Sequence, residues 1–211
     1  MQPEPTLTAR YDDALAFASR IHRAQRRKGS EVPYIAHLLS VSALVLEHGA
    51  TENEAIAALL HDAVEDQGGS QMLVTICSRF GDEVAEIVLG CTDTDDAHKP
   101  SWRPRKERFL ARIADAPFSI RLVVAADKLH NVRSILDDYR LLGEDLWQRF
   151  TGGRDGTLWY YRAVVDVLLG RLGDGEYRLG LLTEKLADAV SELEALACQS
   201  TETPNQTMAG T

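Results

Sequence analysis

The chain has 211 residues, 45% of them apolar, 7% aromatic and 26% charged, with a formal net charge of −9. These proportions describe an ordinary globular protein and exclude whole-chain disorder, collagen-like repeats and low complexity. The acidic balance opposes nucleic acid or an anionic membrane as a partner, and no run approaches the ~18 apolar residues of a membrane span. The opening MQPEPTLTAR lacks the apolar core of a secretory signal. Cys77, Cys91 and Cys198 are odd in number and far apart, so the reading is no disulfide framework and a reducing cytoplasm.

In chain order, residues 1–9 read as a flexible N-terminus and 10–197 as one all-α domain. Residues 12–25 form an amphipathic helix with Ala14, Leu15, Ala18 and Ile21 toward the core. Residues 26–33 are a basic loop closed by proline, and 34–48 a second helix stopped at Gly49. Thr51 with Glu54 is a capping box, opening a helix that runs to about Gln67 and ends at Gly68-Gly69. Two short helices flank Gly81, and a polar loop spans 92–103. Helices follow over 104–115 and 118–137, although the apolar run 120–126 reads equally as a buried strand. Residues 143–150, 156–171 and 176–197 are helical again, and 198–211 is a disordered polar tail.

Positive charge is clustered within this acidic chain. Arg20, Arg23, Arg26, Arg27 and Lys28 form one group; Lys99, Arg103, Arg105, Lys106, Arg108 and Arg112 form another. Each reads as a solvated helix face, and the two together also suit a small polyanionic ligand. The Asp93, Asp95, Asp96 run reads as a solvated loop, and Trp159, Tyr160 and Tyr161 as core.

The chemically informative stretch is AIAALLHDAVEDQGG, residues 55–69. Six unbroken apolar residues place its helix inside the protein. His61, Asp62, Glu65 and Asp66 then crowd the helix C-terminus, where the macrodipole disfavours anions. Carboxylates there need compensation, and a divalent cation is the simplest source. His61 and Glu65 share a face, as do Asp62 and Asp66 one residue on. His37 lies in an apolar helix and is either a hydrogen-bonded core residue or a further ligand. Asp127 follows LVVAA and needs a partner; His130 fits a ligand or a packed residue equally. Two imidazoles and two carboxylates without thiolates suit Mn, Fe, Zn or Mg. Glu65 and Asp66 would stand near metal-bound water, where a general base belongs.

These residues resemble the H…HD…D signature of the HD-domain superfamily of metal-dependent phosphohydrolases, read here as His37, His61-Asp62 and Asp127. Within it the chain resembles the RelA/SpoT hydrolase domain, and most closely the stand-alone small alarmone hydrolases. The likeness covers about residues 10–172 and rests on HRAQRRKGSEVPYIAH, HDAVED, GDEVAEIVLGCTD and ADKLHN. It implies an HD-type helical bundle that removes the 3′-diphosphate from a (p)ppGpp-type nucleotide, or from (p)ppApp, with one Mn²⁺ per chain. It makes His37, His61, Asp62 and Asp127 the metal ligands, and Glu65 and Asp66 the pair that positions or deprotonates water. Arg27 and Lys28 would lie near the base and phosphates, and Asn131 would contact the nucleotide. Arg105, Lys106 and Arg154 are candidate phosphate ligands from the basic segments. The length leaves no room for a synthetase domain beside this one. Other HD chemistries (nucleotidase, dNTPase, phosphodiesterase) and a non-catalytic alarmone sensor share the metal residues. The expected partner is a hyperphosphorylated small nucleotide, bound by a monomer or small homo-oligomer.

Overall fold

The computed structural model describes residues 7–93 and 101–202, with side chains up to Gln199 in the last helix. Ten α-helices and one 3₁₀ segment account for nearly all of them, and no strand occurs among the described residues. The order is α1 Ala9–Ile21, α2 Ile35–Glu47, α3 Glu52–Leu60, α4 Ala63–Gln67, α5 Gly69–Phe80, α6 Asp82–Cys91, α7 Trp102–Ala114, α8 Phe118–Leu142, the 3₁₀ segment Gly143–Arg149, α9 Gly153–Gly170 and α10 Tyr177–Glu202.

Helix α8 is the centre of the bundle. It packs against α2, α3 and α6 on one side and α10 and α9 on the other. Residues 122–126, which periodicity leaves open between strand and helix, are helical and fully buried because neighbours cover them on both sides. Helix α3 is equally enclosed: Ala55 through Leu60 are all 0% exposed. Its start carries the full capping box. Glu54 Nα–H donates to Thr51 Oγ1, and the Thr51 backbone N–H donates to Glu54 Oε2 at 2.7 Å.

Several boundaries differ from the sequence reading. Thr8 caps α1, so the helix begins at Ala9 and leaves at His22, earlier than periodicity places it. Residues 26–33 then make a narrow excursion. Arg27 N–H donates to Val32 O, Tyr34 N–H donates to Gln25 O, and Arg26 and Pro33 form an antiparallel bridge. The helix expected over 52–67 is broken: α3 stops at Leu60, His61 and Asp62 form a turn, and α4 is a separate five-residue helix. Glu65 and Asp66 therefore lie in the first turn of α4, not at the end of a long helix, which removes the macrodipole objection to them. Helix α7 begins at Trp102, because Pro104 is tolerated in a first turn. Helix α10 continues through Glu202, so residues 198–202 of the expected polar tail are helical. Residues 203–211, most of the expected flexible N-terminus (1–6), Lys99, Asp95 and Asp96 lie outside the described residues. Asp93 is not a solvated loop residue; it accepts from Lys106 Nζ at 2.8 Å and pairs with Arg105.

Candidate active site

The site is assembled from α2, the α3–α4 turn and α8. Helix α2 places His37, the turn places His61 and Asp62, and α8 places Asp127. Both histidines are buried, at 1% and 2% exposure. His61 Nε2 lies 3.0 Å from Asp62 Oδ2 and 3.6 Å from Asp127 Oδ1. His37 Nε2 lies 3.5 Å and 3.2 Å from the same two oxygens. One donor atom each from His37, His61 and Asp127 falls within 4.8 Å of the others.

This donor set fits a divalent metal. The Nε2 atoms of His37 and His61 are buried without a hydrogen-bond partner, an expensive condition for two imidazoles. Ligands held about 2.1 Å from one ion lie about 3.0–3.5 Å apart, and these nitrogens and oxygens are 3.0–3.6 Å apart. The His61 tautomer is also set. Its Nδ1 stands 2.8 Å from the Ala58 carbonyl, which can only accept, so Nδ1 carries a proton and in the neutral ring the Nε2 lone pair faces the cluster. The electrostatics describe the same demand for positive charge. Burial disfavours a charged His61, yet Asp62 and Asp127 overcome it and hold the imidazole well above its ordinary pKa of 6.5. Burial likewise opposes ionised Asp62 and Asp127. His61 outweighs it at Asp62, Lys128 and the two histidines at Asp127, and both carboxyls sit well below the usual carboxylate range.

Further groups orient the cluster. Tyr34 Oη donates to Asp62 Oδ2 at 2.6 Å, and burial followed by the Asp62 charge keeps the phenol protonated. Asn131 Nδ2 donates to Asp127 Oδ1 at 2.5 Å, while Asn131 Oδ1 accepts from Arg27 at 2.6 Å. Lys128 Nζ lies 2.6 Å from Asp127 Oδ2. Burial opposes the Lys128 charge, but Asp127 with Tyr160 and Tyr161 keeps the ammonium firmly protonated.

His37, Asp62 and Asp127 of the cluster line a cavity of about 560 Å³, with His61 behind them. That volume lies within the range of small-molecule sites, ≈ 300–1,000 Å³. Its cationic wall is Arg27, Lys28, Lys106, Lys128 and Arg149, and Tyr160 and Tyr161 close one side. The two basic segments thus meet here in part. Arg27 and Lys28 come from the first and Lys106 from the second, its ammonium 4.5 Å from the Tyr160 ring centroid. Other members take structural partners: Arg103 stacks on Trp159, Arg112 donates to the Thr92 carbonyl, and Arg26 pairs with Glu31.

The structure does not bring every sequence-selected residue to this cavity. Arg154 does not line it; its guanidinium donates to the Ala197 carbonyl at 2.7 Å and fastens α9 to α10. Arg105 is likewise turned to Asp93. Glu65 is half-buried and Asp66 exposed, both on α4 beside Asp62 rather than in the cavity wall. Asp66 accepts from Gln25 Nε2 at 2.7 Å. Asn131 has its amide engaged at both ends within the protein. Sequence reasoning missed Tyr34, Lys128 and Arg149. Tyr34 and Lys128 lie within HRAQRRKGSEVPYIAH and ADKLHN, so membership of those motifs was a signal for them. Arg149 had none, because the 3₁₀ segment brings it in from a distant part of the chain. Cys77 and Cys91 are thiols packed against the core.

Comparison with known proteins agrees with this geometry. Residues 14–158 match the HD domain family. The chain is 33% identical to the Drosophila melanogaster guanosine-3′,5′-bis(diphosphate) 3′-pyrophosphohydrolase MESH1, covering 82% of this chain and 92% of that protein. The human MESH1 is 38% identical over 58% of this chain and 68% of its own length. A probable guanosine-3′,5′-bis(diphosphate) 3′-pyrophosphohydrolase of Synechocystis is 37% identical over 87% of this chain, which spans only 25% of that longer protein. Among solved structures, a metazoan SpoT orthologue described as hydrolysing ppGpp superposes with a TM-score of 0.66 at 30% identity, covering 87% of this chain and 97% of the other. With two histidines and two carboxylates converging beneath a cationic cavity, and a small relative matched along nearly its whole length, the chain belongs to the HD-domain family and, within it, to the small alarmone hydrolases.

Proposed function

We propose that this protein removes the 3′-diphosphate from (p)ppGpp-type nucleotides, and from (p)ppApp, as a Mn²⁺-dependent pyrophosphohydrolase. The observation that carries the proposal is the pairing of two partnerless buried imidazole nitrogens with a cationic cavity directly above them. The similarity to the MESH1 guanosine-3′,5′-bis(diphosphate) 3′-pyrophosphohydrolases supports it.

His37, His61, Asp62 and Asp127 would hold one ion. A bound divalent cation supplies Lewis acidity and lowers the pKa of water. Glu65 receives the proton of the attacking water and Asp66 keeps that water oriented, with Gln25 fixing the Asp66 carboxylate. Arg27 and Lys28 hold the nucleotide beside the 26–33 excursion. Lys106, Lys128 and Arg149 surround the phosphates, offsetting the charge of the diphosphate under attack. The water oxygen bonds to the phosphorus attached to the ribose 3′ oxygen as that P–O bond breaks; the 3′ oxygen leaves and takes up a proton, so ppGpp gives GDP and pyrophosphate.

The test is turnover of ppGpp and ppApp side by side in Mn²⁺, read by chromatography of the products. Conversion of ppGpp to GDP and pyrophosphate is expected. Conversion of ppApp alone keeps the mechanism and changes the base. No conversion of either, by protein shown to hold metal, overturns the proposal.

A further inference from the structure

His37 has two ring nitrogens in different surroundings. Its Nε2 faces the carboxylates of the cluster and has no hydrogen-bond partner. Its Nδ1 lies 2.8 Å from Nδ1 of His130, on the turn of α8 that follows Asp127. The two rings stand 4.8 Å apart with an interplanar angle of 50°, so the contact is edge-on between nitrogens rather than a stack. This differs from His61, whose Nδ1 partner is a carbonyl and leaves only one tautomer.

An imidazole partner can donate or accept, and that choice has a chemical consequence. If His130 donated to His37 Nδ1, the His37 proton would sit on Nε2, and that nitrogen would have no lone pair for a cation. If His130 accepts, His37 carries its proton on Nδ1 and presents a free Nε2 lone pair to the cluster. We infer that His130 is a positioning residue, accepting the His37 Nδ1 hydrogen so that His37 Nε2 can bind the metal. The inference rests on the metal reading above and assigns a role in it to a residue outside the set of metal ligands. His130 is half-exposed at the cavity wall, so replacing it opens no hole in the core.

The experiment titrates Mn²⁺ alone, without nucleotide, into metal-stripped wild type, His130→Ala, His130→Leu and His130→Asn, following free Mn²⁺ by EPR. Ala and Leu remove the acceptor. Asn keeps an oxygen close to where Nδ1 stood. The expected result is a 10–100-fold weaker Mn²⁺ affinity in Ala and Leu, the size of effect seen when outer partners of metal-bound histidines are lost. Asn is expected to return to within about threefold of wild type, with unchanged thermal unfolding of the four metal-free proteins. Equal affinity in wild type and both deletion variants overturns the role of His130 while leaving the metal site standing. An Asn variant as weak as Ala overturns the acceptor argument. Failure of the wild type to bind Mn²⁺ overturns the metal reading, and this inference with it.

Discussion

Asp62 is the residue on which two elements of the site converge. It lies beside His61 Nε2, accepts from Tyr34 and belongs to the turn that separates α3 from α4. Asp62→Ala is expected to lose metal and turnover together. Glu65→Gln is expected to keep the metal and lose turnover by roughly 10²–10⁴-fold, the usual contribution of a general base. Metal content and product chromatography on the two variants check both outcomes, and release of metal by Glu65→Gln refutes a water-directed role. The His61 environment sets a pH dependence. Its pKa in the metal-free protein is raised above 6.5, so the imidazole still holds a proton that a metal must expel. Apparent Mn²⁺ affinity therefore climbs with pH, by up to about tenfold per unit, and levels off once the raised pKa is passed. A flat affinity profile between neutral and mildly alkaline pH refutes this.

At the scale of elements, the site depends on how closely α8 approaches its neighbours. Gly90 of α6 faces Ile120 of α8, and a Cβ built there would overlap the Ile120 side chain. Gly90→Ala is expected to destabilise the fold by about 1–3 kcal/mol, the range for an overpacked core, measured by denaturant unfolding. Arg121 ties the same helix to the α9–α10 connection. Its guanidinium is buried, donating to the carbonyls of Ala116 and Arg171 at 3.0 Å and 2.7 Å and pairing with Glu176. Arg121→Ala leaves those acceptors without their donor and is expected to cost roughly 2–4 kcal/mol. The Arg121 hydrogen bond lowers the Glu176 pKa below 4.5. The contribution of the pair is therefore present above pH 4.5 and is lost as pH falls through the lowered value. Near the cavity, Gly29 adopts φ +74°, and a Cβ there would stand 2.8 Å from Arg149 Nε. The backbone angle favours glycine, and the close approach seats the Arg149 side chain of the 3₁₀ segment against the 26–33 excursion.

For the whole molecule, a bound cation would take the place of the His61 proton in compensating the buried Asp62 and Asp127 charges. Binding to the folded state alone adds about 2.7 kcal/mol at a hundredfold excess over Kd. For a chain of this size that is a rise of roughly 5–10 °C in Tm, reversed by a chelator. Calorimetry with and without Mn²⁺ checks it; an unchanged Tm at saturating metal contradicts a site built for the ion. Among the described residues, no helix is long and apolar enough to cross a membrane, in keeping with the composition.

The helical class was legible in the sequence because apolar residues recur at helical spacing and glycine, proline and the Thr51–Glu54 cap punctuate them locally. His61, Asp62 and Asp127 stood out because buried carboxylates and histidines are costly without compensation against an apolar run; His37, open between core and ligand on its own residues, entered the set through the H…HD…D resemblance. Only the tertiary structure decided the rest. The break at His61-Asp62 has no glycine or proline to announce it; it arises where the buried helix turns its polar end toward α2 and α8. Lys106 and Arg154 were alike as charges in sequence, yet packing turns one into the cavity and the other onto the end of α10. Charge is a local property of the chain, whereas direction is set by the neighbours each helix meets, and those come from far along the sequence.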